Sequence, residues 1–384
     1  MTRRLRVGVV YGGRSGEHEV SLRSAWTVIG ALDPARYEVV PIGIGKDGRW
    51  RTGLESLRLL EEAQRDLRPL PDYGIEVLVP TDPTRGALVP LTGGPAGPGL
   101  DVVFPVLHGT YGEDGTIQGL LELAGLPYVG AGVAASAVGM DKALMKAVFR
   151  DAGLPVCRSL VVHPRHEPAE TIAERVLDEL GFPCFVKPAN LGSSVGVHKV
   201  SSADGLAAAL EDAAAYDPKV MVEEAVSARE LEVAVLGNAD AEASVVGEIL
   251  PSHEFYDYVD KYVDAGARPV IPAAVPPEVS EAMRVLAIRA FRAIDCAGLA
   301  RVDFFLEQGT GRILVNEINT MPGFTATSMY PGMWAASGVP MPQLVDRLIA
   351  LALARHAERA QRRLSFALPS AAATDQRSAT TTGR

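Results

Sequence analysis

Aromatic residues make up only 6% of the 384 positions, cysteine occurs three times, and no apolar run approaches the roughly 20 residues of a membrane-spanning helix. The three cysteines, Cys157, Cys184 and Cys296, are scattered. They form neither a zinc spacing nor a disulfide framework, which suits a reducing cytoplasm. Basic residues are also scarce: 37 Lys and Arg stand against 47 Asp and Glu, a formal net charge of -10. That balance repels phosphate backbones and anionic lipid, so nucleic acid and membrane are set aside as partners. The basic opening, Met1 to Arg6, has the charge of a signal peptide's start, but the apolar stretch 7–11 reaches Gly12-Gly13 too soon and reads as a first strand. What is present, 47% hydrophobic and 22% charged residues, is the composition of a folded, soluble chain long enough for two or three domains.

Periodicity predicts an α/β fold. Strands at 5–11, 37–44 and 101–107 alternate with helices at 18–32 and 116–124, the order expected of a parallel sheet covered by helices. Residues 81–99 are rich in proline and glycine and read as a surface excursion. A helix opening at Met140-Asp141-Lys142 and stopped by Gly153 and Pro155 suggests a boundary near Asp141. A second block follows, with strands at 158–162, 184–187, 195–200 and 220–223 and helices at 168–180 and 203–216. The third holds strands at 231–236, 244–250, 300–306 and 313–319, with helices at 277–294 and 342–364. The domains expected are thus 1–140, 141–226 and 227–364, with 365–384 a Ser/Ala/Thr tail lacking apolar period and expected to be disordered.

Six short segments carry candidate chemistry. Gly12-Gly13-Arg14-Ser15-Gly16 lies between strand and helix but lacks the dinucleotide glycine spacing, which disfavours a nicotinamide dehydrogenase. Glu17-His18-Glu19 follows it at the carboxyl end of a strand, where open α/β sheets bind ligands, although both carboxylates also suit a helix N-terminus. The loop His108 to Gly115 opens at the same edge, with His108 read either as a site residue or as a structural histidine that holds the glycine loop. Lys187 to Gly196 is a glycine- and hydroxyl-rich turn between strands, either a plain hairpin or a phosphate cradle with lysine as its point charge. Arg301-Val302-Asp303 and Glu317-Ile318-Asn319 place polar pairs on single strand faces among apolar neighbours. Such groups are costly to bury unless paired or metal-bound. Two carboxylates and an amide oxygen suit Mg²⁺, and an ion pair of Arg301 with Asp303 or Glu317 is the alternative.

Together the segments GGRSGEHEVSLRSA, HGTYGEDGTIQG, GMDKALMK, VKPANLGSSVGV, FYDYVDKY, ARVDFFLE and VNEINTMPGFTATSMYP resemble the D-alanine:D-alanine ligase family of the ATP-grasp superfamily, over residues 6–364. The resemblance implies a three-domain ATP-grasp ligase with an N-terminal Rossmann-like sheet, joining two D-alanines through an acylphosphate with ATP and two Mg²⁺ or Mn²⁺ ions. Carried over by motif, Glu17 holds the first ammonium, with Ser193 and Tyr262 shaping that site. Arg301 and the Gly323 N–H stabilise the oxyanion, and Asp303, Glu317 and Asn319 ligate metal. Lys142, Lys187 and Lys261 meet phosphates, while Glu223, Glu224, Val226 and Glu230 line the nucleotide pocket. Ser328 and Met329 receive the second carboxylate. The resemblance also implies a homodimer that supplies a dipeptide for peptidoglycan precursor synthesis. Tyr262 favours an amine over a hydroxyl nucleophile, so ester formation with D-lactate, or use of another D-amino acid, is the alternative. Ala228 stands where the family more often has glycine, a departure that bears only on the local turn.

Overall fold

The computed structural model describes residues 3–93, 97, 99–250 and 268–363. The expectations for Lys261 and Tyr262 and for the tail 365–384 lie outside the described residues. Three sheets organise what is described.

The first is built from β1 (Leu5–Gly12), β2 (Tyr37–Ile44), β3 (Trp50–Thr52), β4 (Ile75–Leu78), β5 (Val89–Pro90) and β6 (Val102–Pro105), in the order β5-β4-β3-β2-β1-β6. Helices α1 (His18–Ala31), α2 (Ser56–Asp66) and α3 (Thr116–Leu123) accompany it. The apolar run of β1 divides by period 2, with Val7, Val9 and Tyr11 in one buried cluster and Val10 in another. Both faces are therefore covered, as a continuous apolar strand requires. β1 runs parallel to β2 and β6. The expectation of a parallel sheet needs correcting beyond β2, because β3, β4 and β5 join antiparallel. For β3 the physical reason is length: the turn at 45–49 is far too short for a parallel crossover and permits only a hairpin. The 81–99 excursion is also less superficial than expected, since Leu88 is 1% exposed and packs with Val77 and Leu100.

Next come α4 (Val133–Met140), α5 (Lys142–Asp151), β7 (Ser159–Val162), α6 (Ala169–Glu179), β8 (Cys184–Pro188), β9 (His198–Val200), α7 (Leu206–Tyr216) and β10 (Val220–Glu224). Their strands form an antiparallel sheet, β7-β10-β8-β9, whose core includes Ile172 and Val176 from α6 and Leu210 from α7. The Asp141 side chain caps α5, accepting the N–H groups of Ala143 and Leu144 at 3.0 Å each. The strand expected at 195–200 shortens to His198–Val200. Ser193, Ser194 and Gly196 take φ of 54, 57 and 69, a left-handed backbone that cannot continue a strand.

The third sheet, β13-β12-β11-β14-β15, comprises β11 (Ala228–Gly237), β12 (Glu242–Leu250), β13 (Arg268–Val270), β14 (Gly298–Glu307) and β15 (Ile313–Asn319). Helix α8 (Pro277–Ala293) packs Met283, Ala287 and Phe291 onto one face. On the other lie α9 (Met329–Ala336) and α10 (Met341–Ala360), in a cluster that continues into Val7, Leu22 and Phe104 of the first sheet and its helices. No described helix is long and apolar enough to cross a membrane.

Candidate active site

The loops after β1 and β6 leave the first sheet at the same edge, because the two strands flank one another in parallel. Glu17 sits just before α1, with its N–H donated to the Ser15 hydroxyl at 3.0 Å. Its carboxylate accepts a hydrogen bond from the hydroxyl of Ser193, 176 residues along the chain. Gly109 faces it: a Cβ there would stand 2.6 Å from Glu17 Oε2, and φ of +71 already demands glycine. Glu19 lies in the first turn of α1, as the helix N-terminus reading has it, and pairs with Lys46 at 2.7 Å on the cleft wall.

His108 is a buried linker. Its Nδ1–H donates to the Met321 carbonyl at 3.0 Å, while Nε2 meets the Ser24 hydroxyl at 2.9 Å. The Phe324 N–H donates to that same hydroxyl at 3.1 Å, leaving the Ser24 proton for Nε2. This chain fixes a neutral tautomer, consistent with burial holding the imidazole below its usual value against the pull of Glu17 and the Met321 carbonyl. It grips the 321–324 turn from both ends. Glu113 grips it too, accepting from the N–H of Gly109 at 2.9 Å and of Met321 at 3.3 Å. Burial and then the charge of Glu17 push its carboxyl up to about 8. The turn so held carries Gly323, and Ser328 follows at the N-cap position of α9 with Met329 as its first residue. Ser328 Oγ accepts the Thr325 N–H at 3.0 Å.

Across the cleft, Lys142 at the start of α5 donates to the Leu191 carbonyl at 2.6 Å and stands 3.7 Å from Glu317. Lys187 from β8 pairs with Glu223 of β10. A second, fully buried lysine, Lys146, reaches the other oxygen of Glu223 at 2.5 Å. Burial opposes charge on Glu223, but Lys146 and Lys187 overcome it and hold its carboxyl down to about 2. Glu224 binds Arg158 through its side chain at 2.7 Å, while Val226 and Glu230 line the same wall. Ala228 opens β11 and is absent from the positive-φ positions, so its side chain is accommodated.

The antiparallel pairing of β14 and β15 places Arg301 opposite Asn319 and Asp303 opposite Glu317. Arg301 forks onto Asp303 at 2.7 and 2.6 Å and reaches Glu232 of β11 at 3.2 Å. Asn319 donates to Asp303 at 3.1 Å. The ion-pair alternative with Asp303 is therefore realised, and Glu317 faces Lys142 instead. No cluster of three or more His, Cys, Asp or Glu in metal-ligand reach occurs among the described residues. The donor set of Asp303, Glu317 and the Asn319 amide still fits magnesium, which takes one or two carboxylates and completes its shell with waters and phosphate oxygens.

Every candidate residue within the described segments lines one cleft of about 1150 Å³, walled by all three sheets. Sequence reasoning missed Lys146, Glu232, Glu113 and Ser24. Two of these left a trace: Lys146 follows Lys142 by one helical turn, and Glu232 alternates with Glu230 along an otherwise apolar strand.

Comparison with known proteins identifies the family. Residues 6–131 match the family description "D-ala D-ala ligase N-terminus" and residues 148–350 match "D-ala D-ala ligase C-terminus". The D-alanine--D-alanine ligase of Heliobacterium modesticaldum is 50% identical over 368 residues, covering 94% of this chain and 98% of that protein. Among solved structures, the D-alanine-D-alanine ligase from Coxiella burnetii superposes with a TM-score of 0.82 at 37% identity, covering 94% of this chain and 97% of that one. The VanG D-Ala:D-Ser ligase from Enterococcus faecalis gives 0.82 at 34% identity, covering 91% and 100%. With half of all aligned residues shared over nearly its whole length, the chain belongs to the D-alanine–D-alanine ligase family.

Proposed function

We infer that this protein joins two D-alanine molecules to D-alanyl-D-alanine, driven by ATP through an acylphosphate, for peptidoglycan precursor synthesis. The observation that carries the reading is the single cleft in which Glu17 and Ser193 face the Arg301, Asp303 and Glu317 group, with Lys142 and Lys187 on the adjoining wall.

The chemistry demands a place for each charge. Glu17, positioned by Ser193, holds the ammonium of the first D-alanine, and Tyr262 completes that site. Lys142, Lys187 and Lys261 hold the phosphates of ATP, while Glu223, Glu224, Val226 and Glu230 enclose its adenosine. The first carboxylate attacks the γ-phosphorus, forming a carboxyl O–P bond as the bond to ADP breaks. When bound by Asp303, Glu317 and Asn319, two Mg²⁺ or Mn²⁺ ions neutralise charge on the phosphate oxygens. Ser328 and the Met329 backbone take the carboxylate of the second D-alanine, whose amine, once deprotonated, attacks the acylphosphate carbon. Arg301 and the Gly323 N–H meet the oxyanion that forms, and its collapse expels phosphate and leaves the amide. The cationic Arg301, forked and nearly enclosed, is held charged despite burial by Asp303 and Glu232.

The three sheets correspond on this reading to units 1–140, 141–226 and 227–364, working in the cytoplasm as a homodimer. Incubation with ATP, Mg²⁺ and D-alanine tests the activity, following ADP, phosphate and dipeptide together, with L-alanine, D-serine and D-lactate in parallel. Equal amounts of ADP, phosphate and D-alanyl-D-alanine are expected, with no product from L-alanine. Preferred mixed product with D-serine, or ester with D-lactate, overturns the substrate assignment, and light scattering decides the dimer.

A further inference from the structure

One buried charge has no part in the chemistry above. Lys146 lies on α5 one turn beyond Lys142, is 1% exposed, and stands behind the cleft wall rather than on it. Its ammonium is 2.5 Å from Glu223 Oε1. Lys187 takes the other oxygen of the same carboxylate. Glu223 is itself 2% exposed, and burial pushes the neighbouring Cys157 thiol up to about 12, so the thiol adds no charge. Two lysines and one carboxylate thus leave a net single positive charge facing the cleft.

A lone buried pair of Lys187 and Glu223 would oppose nucleotide binding. Drawing the Lys187 ammonium toward a phosphate would strand an uncompensated carboxylate in a low-dielectric site, among the costliest arrangements in a protein interior. A second cation on the opposite oxygen removes that penalty. We propose that Lys146 is a positioning residue for nucleotide binding: from behind the wall it holds and neutralises Glu223, so that Lys187 is released to the polyphosphate. Lys146 touches no substrate and acts only through Glu223.

This inference rests on the nucleotide-site reading of the cleft, and the two fail differently. If the wild-type protein shows no ATP-induced thermal shift and forms no ADP, the nucleotide reading falls, whatever the Lys146 variants do. Given a competent wild type, Lys146→Met is expected to raise the KM for ATP about 10-fold or more while the KM for D-alanine stays within about twofold. Lys146→Arg, which keeps the charge, should recover part of the loss. An unchanged KM for ATP in a folded Lys146→Met protein overturns the proposal. In a Glu223→Gln background the carboxylate is gone, and adding Lys146→Met should then change the KM for ATP by less than about twofold. That comparison decides alone if the single variant does not fold. A further fall in ATP affinity in the double variant assigns Lys146 a role independent of Glu223 and overturns the proposal equally.

Discussion

Arg301 forks onto Asp303 and reaches Glu232 through Nε, and on the proposed reading it also donates to the oxyanion. Replacing it with alanine removes a charged donor to the transition state without touching the nucleotide wall, so the rate constant should fall ~10²-fold or more while ATP binding persists. Steady-state kinetics beside an ATP-induced thermal shift checks this, and an unchanged rate constant removes Arg301 from the role. Glu113 makes a different prediction, about pH. Its carboxyl is raised from the ordinary value to about 8, first by burial and then by Glu17, despite the two N–H donors and Arg301 that favour its charged form. A carboxyl that binds its proton more tightly folded than unfolded adds stability fully present at low pH and lost as pH rises through the folded value. The thermal midpoint should therefore fall from about pH 5 to about pH 8 through this group, and Glu113→Gln should flatten that part of the slope. Equal slopes in the two proteins would sink the assignment. His108, held below its usual value by burial, acts in the opposite sense, because its unfolded imidazole takes up a proton first as pH falls; it is common to both proteins, so the difference between their slopes isolates Glu113.

Among the elements, the turn at 321–324 depends on partners that no local pattern announces. Ser24 receives the Phe324 N–H and hands its own proton to His108, joining α1, the loop after β6 and the turn after β15. Ser24→Ala leaves a buried N–H and a buried imidazole nitrogen without that partner, so it should cost about 1–3 kcal/mol in urea unfolding. It should also loosen the turn that bears Gly323, lowering the rate constant before the KM for ATP changes. A variant as stable and active as the parent would deny the chain any importance. The same contrast shows what the sequence could yield. β1, α1, β14 and β15 were legible because strong period-2 and 3.6-residue patterns and clear stop signals marked them, and Glu17, Ser193, Asp303 and Glu317 were legible through their motifs. The short strands β3 to β5 were not, because two to four residues carry almost no periodic signal and owe their existence to neighbouring strands. Nor could Lys146 and Glu232 be assigned, since their meaning lies in a partner: Glu223, 77 residues later for the first, and Arg301, two register positions along the adjacent strand for the second.

At the scale of the whole molecule, the end of the described chain returns to its beginning. Leu344, Val345, Leu348 and Ile349 of α10 share one buried cluster with Val7, Val9 and Leu22, and Tyr37 donates to Asp346 at 2.8 Å. Arg355 lies over the Tyr128 ring at 4.5 Å and donates to the Tyr128 carbonyl at 3.1 Å. The first sheet is therefore roofed by a helix more than 200 residues away in sequence, and a unit cut at residue 140 would expose that apolar face to water. Folding of the first sheet is then coupled to that of the third, and two consequences separate this from three independent domains. Leu348→Ala removes buried methyl groups at the shared seam and should destabilise the protein by about 2–5 kcal/mol in a single transition. A fragment of residues 1–140 should show no cooperative thermal transition by circular dichroism and should bind a hydrophobic dye, having lost the burial that a small sheet needs. A sharp melt in the isolated fragment, or a Leu348→Ala protein whose first sheet melts unchanged while the rest melts early, would show that the roof is a contact and not a shared core.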